Sequence, residues 1–166
     1  MDQPFAEDER TALPHLEQLL LYSMRAWVIG FCRGLAIAER LDEVFAVIGA
    51  PDAAAHLYGF MWAIGHGARR LLAVDCVCRA EVSEDERRLL DVLALAQAGR
   101  SLEAVLLLRT LITPPAALAA GDSAARLGSA LAAAGRKLSP RALATTRYAL
   151  ADEDNVVELR RPLTLH

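Results

Sequence analysis

The chain has 166 residues, 54% of them hydrophobic and only 5% aromatic, with a formal net charge of −3. That length buries one ordinary core without help from disulfides or metals. The acidic balance argues against nucleic acid as the default partner, because such binding needs a clustered basic surface. Lys137 is the one lysine among 18 basic residues, the others being arginine. That skew fits GC-rich coding and is no sign of phosphate recognition.

The N-terminus, MDQPFAEDER, is acidic, unlike a secretory or mitochondrial leader, and three cysteines is an odd number. Together these predict a reducing, cytoplasmic setting. The most apolar stretch, residues 16–41, is long enough to cross a bilayer but contains Arg25 and Arg33. Each arginine near a bilayer centre costs about 2.5–3.5 kcal/mol even on the mildest scale, so a buried helix and no membrane contact are expected.

Between Pro14 and Leu41, Leu16, Leu20, Trp27, Phe31, Leu35 and Ala38 recur at helical spacing, with Glu17, Arg25, Arg33 and Arg40 placed largely opposite. Gly30 or Gly34 is where this helix would bend or be interrupted, or where a neighbour would approach closely. A short helix over 42–48 stops at Gly49, and Asp52 is the expected cap of the next, whose stripe is Leu57, Phe60, Met61 and Ile64. Ser83 and Glu86 form a capping box, and Glu84 and Asp85 add the negative charge a helix N-terminus favours. That helix runs to about Ala98. Another follows over 102–112 and ends before Pro114. Further helices are expected from 116 onward, broken at Gly121-Asp122 and Gly135. The tail from 156 to 166 contains Pro162 and reads as extended or disordered. No segment alternates with period two. The prediction is an all-α bundle of six to eight helices, a single domain over 1–155, with an αα-hairpin over 84–112.

Residues 87–115, with Gly99 in the turn, Ala104 at a tight crossing, Leu108, Leu111 and a following proline, resemble one tetratricopeptide repeat. The resemblance covers under a fifth of the chain, lacks the aromatic usual on each helix, and has no second copy at about 34-residue offset. It implies a helical hairpin and a bias towards protein binding. The stretch AEVSEDERRLL is similar to the acidic helix start of tellurite-resistance bundles, without their metal-associated Asp-Gly pair.

Three constellations bear on function. Cys76 and Cys78 stand one residue apart. With His66, and with Cys32 or His56, they are the candidate ligands for zinc or another thiophilic metal, or a redox pair beside Arg79. The plainer reading is apolar filling before the capped helix, since free cysteine is usually buried. His66, Arg69 and Arg70 end the third helix and, with Arg79, are candidates to hold an anion, although cations at a helix C-terminus also suit the macrodipole. Residues 126–149 carry Arg126, Arg136, Lys137, Arg141 and Arg147 with a faint helix–turn–helix cadence that would present Arg141, Thr145 and Arg147. The acids at 152–154 would repel phosphate there.

No nucleophile elbow, Walker loop, dinucleotide fingerprint, H-E-x-x-H or EF-hand loop is present. Catalysis therefore has no positive signal, and no cofactor is expected. The leading expectation is a non-enzymatic helical protein that binds a protein partner or a second copy of itself. Trp27, Tyr58, Phe60 and Trp62 are the side chains from which the contact would be built. A metal- or redox-responsive regulator and a DNA-binding regulator are the alternatives.

Overall fold

A computed structural model describes residues 9–139. Among them are six helices: α1 (His15–Arg33), α2 (Ala38–Val47), α3 (Ala53–Gly67), α4 (Glu84–Gln97), α5 (Ser101–Arg109) and α6 (Pro114–Ala133). The protein is all-helical, as its periodicities require. The expected tail and the second half of the basic segment, including Arg141, Thr145 and Arg147, lie outside the described residues.

α3 and α6 form the central pair and run antiparallel, with Gly67 against Ala116 and Gly59 against Ser123. α4 and α5 pack on each other and both pack on α6, α2 packs on α3, and α1 lies across α3 and α4. Leu20, Leu21 and Met24 of α1 meet Phe45 of α2 in one core with Leu57, Phe60 and Met61 of α3, Leu89 and Leu93 of α4, and Leu127 and Leu131 of α6. Each such side chain contributes about 1.5–3 kcal/mol by leaving water.

Helix boundaries follow local chemistry in most places. α1 stops at Arg33 because Gly34 takes the left-handed conformation (φ 64°), which a side chain would resist. The chain then restarts four residues earlier than periodicity suggests, at Ala38. α4 has the full capping box: Ser83 Oγ accepts from the Glu86 amide, and the Glu86 carboxylate accepts from the Ser83 amide. Asp52, by contrast, makes no side-chain cap. Its backbone is already helical (φ −67°, ψ −19°), so its carboxylate is not set against the first-turn amides.

α6 differs most from expectation. It begins at Pro114, whose missing amide hydrogen is no loss at a first helical position, and runs unbroken through Gly121-Asp122. The glycines there serve close approach. A Cβ on Gly128 would come within 2.8 Å of the Gln97 backbone, and one on Gly121 within 2.7 Å of a Val105 methyl. Gln97 then ties down the chain beyond α6, donating from Nε2 to the carbonyls of Gly128 (3.2 Å) and Arg136 (2.9 Å) and accepting at Oε1 from the Leu138 amide (2.6 Å).

Candidate functional site

Residues 68–83 join α3 to α4 without regular structure, and buried charge holds them. Arg25, on the first helix, is 1% exposed and Glu86, on the fourth, is fully buried. The guanidinium donates from Nε (2.7 Å) and Nη2 (2.9 Å) to the two carboxylate oxygens. Nη1 and Nη2 also donate to the carbonyls of Arg79 (2.7 Å) and Glu81 (2.6 Å). The Glu86 carboxylate also accepts from the amides of Asp75 (3.0 Å) and Ser83 (2.8 Å). Arg25, expected on the solvent side of its helix, thus sits inside, because the loop supplies the acceptors that a buried guanidinium demands.

Asp85 holds the same loop from outside. It accepts from Arg70 at both oxygens (2.7 and 2.6 Å) and from the Ala73 amide (2.9 Å). Ser83 Oγ bonds the Ala73 carbonyl. Arg10 fixes the loop's tip, donating to the Val77 carbonyl at 2.9 Å, while its amide donates to Ala80 at 3.0 Å. The Arg70 guanidinium holds the Asp85 carboxyl below the usual carboxylate range. Burial pushes Glu86 up, but Arg25 and the amides of Ser83 and Asp75 outweigh it and hold the group low.

Both loop cysteines are exposed, which overturns the reading of Cys76 and Cys78 as apolar filling. Among the described residues no three His, Cys, Asp or Glu side chains form a group able to hold a metal ion. The His66 ring packs on Trp62, with centroids 4.1 Å apart, and Nδ1 donates to the Trp62 carbonyl at 2.9 Å. Of the three arginines proposed for an anion, two are paired with acids: Arg70 with Asp85, and Arg79, which lies 3.2 Å from Glu81. Arg69 donates its backbone amide to Leu111 (3.2 Å) beside a bridge between Ala68 and Ile112. In the basic segment, Arg126 pairs with Asp122 at 2.8 Å.

A second feature is a row of aromatic rings where α1 lies over α3. Trp27 and Phe31, one turn apart on α1, stack at 5.0 Å. Tyr58, Trp62 and His66 form the facing row on α3 at the same four-residue spacing. Trp27 meets Tyr58 edge-on at 5.9 Å, and Phe31 meets both Trp62 (6.1 Å) and His66 (6.0 Å) edge-on. Trp27 is the buried floor, while Phe31 (52%), Trp62 (46%) and Tyr58 (43%) remain exposed. Phe60 does not belong to this surface. It is fully buried, because two residues on from Tyr58 a helix has turned to its opposite face. Phe31 and His66 take its place, and the four-residue spacing from Trp27 and Trp62 is the signal that identifies them.

Comparison with protein-family models, with curated proteins and with solved structures finds no match to this chain.

Proposed function

We propose that the protein acts by protein–protein contact through the aromatic face of α1 and α3, and that the occupant of that face is a second copy of the chain. One observation carries the reading: Phe31, Tyr58, Trp62 and His66 form a contiguous cluster of rings at the surface, seated on Trp27. Half-exposed rings of this size leave on the order of 400 Å² of apolar surface in water, the scale of the largest apolar patch on an ordinary monomer, a patch that is often functional. Aromatic anchors of this kind dominate interface energetics.

Self-association is favoured because the cluster carries no fixed charge that would repel its own copy. Two helices side by side also offer a self-complementary ridge for the two-fold arrangement most common among oligomers. Polar neighbours must supply the rest of a stable interface, which buries about 800 Å² per subunit. The test is sedimentation equilibrium of the full chain and of Trp62→Asp. The expected result is a dimer for the parent and a monomer for the variant. A monomer at every concentration for both would contradict the proposal.

A further inference from the structure

We propose that Cys76 and Cys78 are a working dithiol, closing to a disulfide within the loop by exchange with a small-molecule disulfide. The geometry that carries this begins with a β-turn: the Arg79 amide donates to the Cys76 carbonyl at 3.1 Å, so Cys76 is its first residue and Cys78 its third. The ends of such a turn, Cys76 and Arg79, lie within about 7 Å; Cys76 and Cys78, inside that bend and two Cα–Cα steps of about 3.8 Å apart, fall within reach of the roughly 4.4–6.8 Å that a disulfide spans. The two thiols are close enough for each to shift the other's acidity, Cys76 downward and Cys78 upward. Both are exposed to reagents.

The turn is held on every side through its backbone. Arg10 grips the Val77 carbonyl between the cysteines, Arg25 grips the Arg79 carbonyl, and Glu86 takes the Asp75 amide. These anchors use main-chain atoms alone, so the sulfurs are positioned while their chemistry stays open. Pre-organisation of this kind removes much of the entropy cost of bringing two groups together.

The order of attack follows from the surroundings. The Cys78 thiol and neighbouring amides hold Cys76 below the usual thiol range, while Cys78 beside it is pushed up. The Cys76 thiolate attacks one sulfur of the disulfide R–S–S–R, forming a mixed disulfide and expelling R–S⁻. Cys78 then loses its proton to water and attacks the Cys76 sulfur. The ring closes and the second R–S⁻ leaves. Two thiols are oxidised with loss of two protons and two electrons, and R–S–S–R is reduced to two R–SH once the leaving groups take up protons. A ring closed over one intervening residue is strained, and strained exposed disulfides are the readily reversed ones.

The experiment is intact-mass analysis of the full chain carrying Cys32→Ser, incubated with glutathione disulfide. The expected product is lighter by two hydrogens, carries no adduct and releases two equivalents of reduced glutathione. Adding Cys78→Ser or Cys76→Ser should each arrest the reaction at a single glutathione adduct on the loop cysteine that remains. Stable adducts on both cysteines without loss of hydrogen, a disulfide between two copies, or no trapped adduct in the Cys78→Ser chain would each overturn the proposal.

Discussion

Arg25 and Glu86 lie 61 positions apart and meet inside the protein through two parallel hydrogen bonds of 2.7 and 2.9 Å. Neither is exposed, and between them they satisfy four backbone groups of the loop that carries the cysteines. The pair is the joint that makes an irregular 16-residue connection behave as part of the core.

Breaking that joint from one side strands a charge. Arg25→Met and Glu86→Leu should each lower unfolding free energy by about 3–5 kcal/mol. The double variant should cost less than the sum, with a coupling of about 1–3 kcal/mol, because no lone charge remains. Urea denaturation of the four chains measures this. Strict additivity would mean that the two residues do not act as a pair.

Acid should unfold the protein through the same region. Asp85 and Glu86 are both held low in the folded state, so the unfolded chain binds protons more readily. Their contribution is complete above the unfolded values near 3.9 and 4.3, and is lost as pH falls through the lower folded values. Stability should therefore be flat from about pH 7 to 5 and fall steeply below about pH 4. Asp85→Asn should lower the plateau and flatten the fall, read from denaturation midpoints across pH.

The glycines of α6 separate two kinds of contact. Gly128→Ala gains helix propensity of up to about 1 kcal/mol but drives a methyl into the Gln97 main chain, which cannot move aside alone. A net loss of about 1–3 kcal/mol is expected. Gly121→Ala meets the end of the Val105 side chain, which can rotate, and should be near neutral. Thermal melts of the two variants test the difference.

Those glycines also show where primary structure is legible and where it is silent. Ser83 and Glu86 form their capping box within four residues, so local sequence is enough to read it, and the same holds for the stripe Leu57–Phe60–Met61–Ile64, whereas the stop of α1 reads equally at Gly30 or Gly34. A glycine in a helical stretch reads equally as a break or as a place where another helix comes close. Only the neighbour decides, and for Gly121 and Gly128 the neighbours are Val105 and Gln97. Arg25 reads as solvent-facing because its partner lies 61 residues away. Much of the aromatic face is in the primary structure, as the spacings Trp27–Phe31 and Tyr58–Trp62–His66. What is missing there is that α1 lies over α3 and brings the two rows together.

The most direct test of the account follows the exposed indole itself. The chain has two tryptophans, so Trp27→Phe leaves Trp62 as the sole indole, and its emission can be followed from nanomolar to high micromolar protein. If the aromatic face seats a second copy, the emission maximum moves to shorter wavelength as concentration rises and water leaves the ring. An emission maximum that stays at the wavelength of a water-exposed indole over the whole range would contradict it.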